Sequence, residues 1–156
     1  MNNTVYKKVV LDLIKHEGCV FEVYKDSEGY DTYGIGHLVT KKESKQFPFG
    51  TPVSTHKVMD TFFKDLDSAI EDTYLLFPEL NVLPQPVQTT LINMSFNLGL
   101  TRLSKFKKMI RAIDERDYDK AADEMIDSKW YRQVKSRGKE LVDDMRSAVE
   151  VSEWQI

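Results

Sequence analysis

A glutamate, an aspartate nine residues on and a threonine six residues further (Glu17, Asp26, Thr32) are the residues of this chain whose setting suits them for chemistry. With 25 acidic residues in the sequence, a pair of carboxylates carries no information by itself; its surroundings must. Glu17 falls at the predicted C-terminal end of the first helix, where the partial negative charge of the helix opposes a second one. Val20 and Phe21 would add a desolvation penalty. Both effects push a carboxyl pKa upward, as a general acid requires, and a nearby arginine would oppose them while holding the side chain in place. Asp26 lies in the polar stretch KDSEG, where backbone N–H groups and water favour the anion. One protonated and one ionised carboxyl are what glycoside hydrolysis uses. Thr32, expected across a hairpin from that turn, has a hydroxyl that both donates and accepts, and so can orient a water. Gly34 and Gly36 leave room for a substrate or for close packing. On spacing alone, Glu17 serves equally well as a solvated helix end, Asp26 as a turn former and Thr32 as a strand residue.

These residues need elements to position them. Val5, Val9, Val10, Leu13 and Ile14 form a helical stripe, with Asn3 or Thr4 placed to cap its start and Gly18 its end. CVFEVY alternates as a strand does, KDSEG has turn chemistry, and YDTYGIG returns as a second strand. A short third strand is expected near Leu38 to Thr40. FPFGTPVS reads as a loop, after which Ser54 or Thr55 can cap a long helix. The stripe Val58, Phe62, Leu66, Ala69, Ile70 and Tyr74 carries that helix to Pro78. Further helices are predicted over Pro86 to Leu98, Leu103 to Asp114, Tyr118 to Ser128 and Ser136 to Val149. The fold class is therefore α+β. A small antiparallel sheet lobe (about 15–55) and a larger all-helical lobe (about 78–156, with the N-terminal helix 3–16) are joined by a long helix over about 55–76. With no repeat along the chain, this reads as one domain, 1–156.

Composition limits the function classes. At 156 residues the chain is long enough to bury a core without metal or disulfide. The single cysteine, Cys19, forms no internal disulfide and is expected to be a small buried residue. The start, MNNTVYKKVVLDLIKHE, does not read as a secretory leader, and no run approaches the ~18 apolar residues of a membrane span. We therefore expect a soluble protein made in the cytoplasm, with no membrane insertion, no metal and no cofactor. Net charge is −3 but uneven, −4 over residues 1–80 and +1 over 81–156. Two stretches lack acids, Arg102 to Arg111 and Lys129 to Lys139. Such patches attract polyanions, although a solvated helix face explains them too. Nucleic acid is not an expected partner, since the chain is acidic overall and lacks the relevant motifs.

HEG…YKDSEGYDTYGIGHLVTK, LINMSFNLG and SKWYRQVKSRGKELV occur in that order. On these stretches the sequence resembles the bacteriophage-type lysozymes, or endolysins, typified by the T-even phage enzyme, and the likeness covers nearly the whole chain. The resemblance implies a lysozyme-like fold and a monomeric muramidase. It would hydrolyse the β-1,4 bond between N-acetylmuramic acid and N-acetylglucosamine in bacterial peptidoglycan, by an inverting route, and so lyse the cell. Glu17 matches the general acid, Asp26 the second catalytic carboxylate and Thr32 the residue that positions the water. Carboxyl groups roughly 6.5–9.5 Å apart are then expected. Arg137 matches an arginine paired with the catalytic glutamate, and Leu38 and Phe96 match cleft-lining positions. Asn93 and Asn97 lie on the helix face toward that cleft, with plain helix packing as the alternative. His37 matches a histidine with a structural salt bridge. The resemblance further implies synthesis in the host cytoplasm and action on the periplasmic wall after release through a pore made by another protein.

Two features depart from the family. Its members are commonly basic, so attraction of this acidic chain to an anionic wall falls to the local basic clusters. The closing stretch SAVEVSEWQI is atypical, though Trp154 can still pack on the helical lobe. Three rivals are weaker. A thiol hydrolase using Cys19 and His16 lacks an orienting third group. A lytic transglycosylase would need neither Asp26 nor Thr32 to handle water. A non-catalytic peptidoglycan binder needs no matched acid and base.

Overall fold

A computed structural model describes residues 1–149. Over them the order is α1 (Asn3–Glu17), β1 (Val20–Lys25), β2 (Asp31–Gly34), β3 (His37–Leu38), α2 (Thr55–Leu76), a 3-10 turn (Leu80–Val82), α3 (Gln85–Leu98), α4 (Leu100–Ser104), α5 (Lys107–Asp114), α6 (Tyr118–Ile126), α7 (Lys129–Val134) and α8 (Ser136–Arg146). The fold is α+β, as expected. Two compact units are formed: Val10–Ser68, and Met1–Val9 with the chain from Ala69 onward. The chain passes from one unit to the other within α1 and again within α2. Trp154 and its neighbours lie outside the described residues.

The unit Val10–Ser68 is built by local chemistry. Asn2, rather than Asn3 or Thr4, caps α1: its Oδ1 accepts the Thr4 N–H at 2.6 Å. Gly18 ends the helix at φ 75°, donating to the Ile14 carbonyl at 3.0 Å. The three strands run antiparallel in the order β1-β2-β3. Tyr24 pairs with Thr32 and Lys25 with Asp31, but a bulge between Val20 and Tyr24 breaks the strand period. Val23 is therefore buried while Phe21 stands half-exposed. Cys19 is exposed, not buried, because it sits in the link between α1 and β1, off any apolar stripe. The FPFGTPVS loop is not free backbone: Val23 N–H donates to the Thr51 carbonyl at 2.9 Å and Val53 N–H to that of Phe21 at 2.8 Å. The third strand is only His37–Leu38. Ser54 Oγ caps α2 by accepting the Lys57 N–H at 3.1 Å. Leu13, Tyr33, Ile35, Val58, Phe62 and Leu66 form the core of this unit.

In the helical unit α6 packs on α5 and α8, and α3 on α8. Leu91, Ile92, Met94, Leu103, Ile113, Met125 and Met145 are fully buried there. Each such side chain contributes about 1.5–3 kcal/mol of hydrophobic stabilisation. The helix expected over Leu103 to Asp114 is in fact two. Phe106 leaves the helical region at ψ 55° and its ring meets Trp130 edge-on, 6.2 Å between centroids, so packing overrides the sequence stripe. The predicted Tyr118 to Ser128 helix stops at Ile126, because Ser128 caps the next helix, accepting the Tyr131 N–H at 3.1 Å. That helix, α7, was not expected, having too few residues to show a period. The last helix ends at Arg146 rather than Val149.

Candidate active site

The hairpin presents Asp26 and Thr32 together, through the backbone of one residue, Tyr30. Asp26 Oδ1 accepts the N–H groups of Glu28 at 2.9 Å and Tyr30 at 2.8 Å. Asp26 N–H in turn donates to the Tyr30 carbonyl at 2.9 Å, and the Thr32 hydroxyl donates to that same carbonyl at 2.9 Å. Tyr30 thus fixes both side chains through its backbone while its own ring is exposed. Two consequences follow from the valences. Asp26 Oδ2 is left without a protein partner among the described residues. Thr32, its only proton already committed, can serve a water only as an acceptor. A water that gives one proton to Asp26 and the other to Thr32 keeps a lone pair for attack.

Glu17, half-buried at the last residue of α1, is placed by Gly36 in the turn between β2 and β3. An added Cβ on Gly36 would overlap the Glu17 carboxylate, lying 2.8 Å from its Cδ, and Gly36 holds φ 67°. Only glycine suits that position on both grounds. Tyr24, cross-strand partner of Thr32, connects the two acids electrostatically. Burial first, then the charge of Glu17, then that of Asp26, holds its phenol above the usual range. The hydroxyl therefore keeps its proton near neutral pH. Leu38 pairs with Thr32 from the other side, on β3, and is half-exposed.

Beside this group lies a second polar network. His37 Nδ1 stands 2.7 Å from Asp65 Oδ2, and its Nε2 stands 2.6 Å from Glu43 Oε1. Glu43 also accepts the Thr40 N–H at 3.0 Å and the Tyr33 hydroxyl at 3.3 Å. Burial alone would lower the His37 pKa, but the bonds and charges of Asp65 and Glu43 outweigh it, and the net shift is upward. Burial likewise opposes the charge on Glu43, yet the Thr40 N–H, His37 and Tyr33 together hold its carboxyl below the usual range.

The remaining sequence-predicted residues belong to the helical unit. Asn93, 1% exposed, accepts Arg137 Nε at 3.0 Å and Nη2 at 2.7 Å, which fixes the guanidinium plane of a residue itself 8% exposed. Asn97 accepts the Trp130 indole N–H at 2.8 Å, and Phe96 is half-buried on the same helix. Sequence reasoning missed Tyr24 and Tyr30. Tyr24 was legible in principle from its register opposite Thr32, whereas Tyr30 acts through backbone alone. Among the described residues, no group of three or more His, Cys, Asp or Glu is arranged to hold a metal ion.

Residues 14–148 match the family model described as Phage lysozyme. This chain belongs to the phage lysozyme family. It is accordingly a glycoside hydrolase of the lysozyme type. Among its relatives is "Probable T4-type lysozyme 2" of Dictyostelium discoideum, 32% identical over 84% of this chain and 89% of the relative. The "Pre-baseplate central spike protein Gp5" of Enterobacteria phage T4 is 33% identical over 80% of this chain but only 25% of its own length. "Peptidoglycan hydrolase gp36" of Pseudomonas phage phiKMV is 28% identical over 86% of this chain and 14% of its own. A stretch similar to this chain thus also occurs inside much longer phage proteins.

Proposed function

We propose that this phage-type lysozyme hydrolyses the β-1,4 bond between N-acetylmuramic acid and N-acetylglucosamine in bacterial peptidoglycan, with inversion at the anomeric carbon. One observation carries the reading: an Asp26 with one carboxylate oxygen unpartnered among the described residues and an acceptor-only Thr32 are held by the backbone of one residue, Tyr30. That arrangement suits a water, not a direct carboxylate attack. Asp26 takes the proton from the attacking water and Thr32 fixes its second O–H. Glu17 delivers a proton to the departing oxygen, as general acids do for about 10²–10⁴ of rate. No metal or cofactor enters this chemistry.

Support for the substrate comes from the family and from the relatives named above. On this reading the protein is a monomer, made in the host cytoplasm, that reaches the wall through a pore supplied by another protein and lyses the cell. No helix among the described residues is long and apolar enough to cross a membrane. Turbidity clearing of outer-membrane-permeabilised bacteria tests the assignment. Glu17→Gln and Asp26→Asn should each slow clearing by about 10²-fold or more, and proton NMR of fresh product should show the α-anomer. Full activity in Glu17→Gln would move the reaction elsewhere. A glycosyl–Asp26 adduct would replace water attack by a covalent route. Mass spectrometry separates the remaining rival, since 1,6-anhydromuramic ends would mean a transglycosylase.

A further inference from the structure

Most of the first basic stretch of the sequence meets Lys129, the start of the second, in three dimensions. In the helical unit a cavity of about 590 Å³ opens where α4, α5 and α7 approach one another. Phe106 and Trp130 are among its lining residues, edge to face at 80°. Five cations line it, Arg102, Lys105, Lys107, Lys108 and Lys129, against two carboxylates, Glu124 and Asp127. All five cations are solvent-exposed, and none has an acidic partner among the described residues. Elsewhere in the same unit cations do find acids: Arg116 pairs with Glu79, Lys139 with Asp143, and Arg146 with Asp119 and Asp123. The helix α5 deepens the imbalance. Its cap residue Phe106 offers no side-chain acceptor, its first turn contains no acid, and Lys107 and Lys108 sit there instead. Lysines at the positive end of a helix are unfavourable by themselves and become favourable when an anion binds among them.

From this we infer that the cavity is a docking site for a phosphodiester-linked polyol chain, such as poly(glycerol phosphate), separate from the hydrolytic chemistry. Cations spread over three helices suit a chain of repeated anions better than one small ion. Four of the five are lysines, point charges on flexible stems that can follow a chain of hydrated phosphates. Nucleic acid fits less well. Trp130 is 4% exposed and its indole is tied to Asn97, so its ring offers no open face for a base to stack on. An anion-binding groove gives an acidic protein a local means of engaging an anionic surface.

Isothermal titration with poly(glycerol phosphate) tests this on the full chain. Binding should appear at low salt and weaken as salt rises. Lys105→Gln/Lys108→Gln/Lys129→Gln should weaken it by roughly tenfold to a hundredfold, and polymer binding to the wild type should move the Trp130 indole resonance. Lys41→Gln/Lys42→Gln/Lys45→Gln removes the same charge from outside the cavity and should leave affinity unchanged. Melting curves establish that both triples are folded. Equal losses in the two triples would show general charge attraction and overturn the site. So would the absence of binding at low salt. Equal affinity for oligothymidylate or for polyglutamate of matched charge would overturn the choice of ligand. None of these readings uses hydrolysis, so the result stands apart from the catalytic assignment.

Discussion

Two carboxylate sites share one small sheet, and they are built to opposite ends. Around His37, the polar atoms are consumed by one another: both imidazole nitrogens, Glu43 Oε1 and Oε2 and Asp65 Oδ2 all have partners. Around Asp26 the bonding stops half-way. Oδ1 is used twice and Oδ2 not at all, while the Thr32 hydroxyl accepts from no protein donor among the described residues. Burial does not separate the two sites, since Thr32 is 2% exposed and the His37 side chain only 15%. Unspent hydrogen-bonding capacity does. A saturated network resists change and supports the fold; an unsaturated one, rigidly aimed, has something left for a substrate or a water.

Matched amide substitutions break that comparison most sharply. Asp26→Asn keeps an oxygen to accept the Glu28 and Tyr30 N–H groups, so the turn survives. Its second position, now an NH₂, can no longer take a proton. Activity should fall by about 10²–10⁴ with stability changed by less than about 0.5 kcal/mol. Glu43→Gln should do the reverse. Its amide nitrogen cannot accept the Tyr33 hydroxyl, which costs about 1–3 kcal/mol of stability, while kcat stays near wild type. Denaturant melts beside clearing rates read both effects. Loss of activity in Glu43→Gln at temperatures where it is folded would end the distinction between the sites.

A next, smaller effect comes from Gly36→Ala. The new methyl must displace the Glu17 carboxylate, and alanine at φ 67° adds backbone strain of roughly 1 kcal/mol. We expect a loss of activity of about tenfold to a hundredfold, well beyond what the lost stability explains. An active Gly36→Ala enzyme would show that the acid is not aimed by this turn. Smaller again is the threonine. Thr32→Val deletes the acceptor and should slow hydrolysis by about tenfold, one water hydrogen bond's worth. Thr32→Ser restores the oxygen and should recover most of that loss, although the missing methyl in a buried site costs about 1 kcal/mol of stability.

How much of this could be read in advance follows the same division between local and tertiary. Gly18, Ser54 and the KDSEG turn act within a few residues of themselves, so their chemistry is visible in the chain. Glu17, Asp26 and Thr32 stand out through spacing, and the family likeness gives that spacing meaning. What was not legible depends on distant partners. Phe106 leaves its helix to meet Trp130. Cys19 is exposed because of how the link after α1 runs, and Phe21 because a bulge interrupts β1. Arg137 finds Asn93 across 44 positions of sequence. Tyr30 was missed for a different reason: its side chain has no part in the work its backbone does.

The finest test of the comparison is pH. His37 has a raised pKa in the folded protein, so its contribution is complete below its unfolded value near 6.5 and is lost as pH rises through the folded one. Glu43 has a lowered pKa, so its contribution is complete above its unfolded value near 4.3 and is lost as pH falls through the folded one. The network therefore stabilises fully between about pH 4.3 and 6.5 and weakens on either side. His37→Asn should flatten the alkaline limb of the stability curve, by about 1 kcal/mol relative to wild type, and leave the acid limb largely to other carboxylates. The pH profile of kcat should keep its shape in that variant. If the profile moved with the stability curve, the two sites would be coupled, and hydrogen-bond saturation would not separate support from chemistry in this sheet.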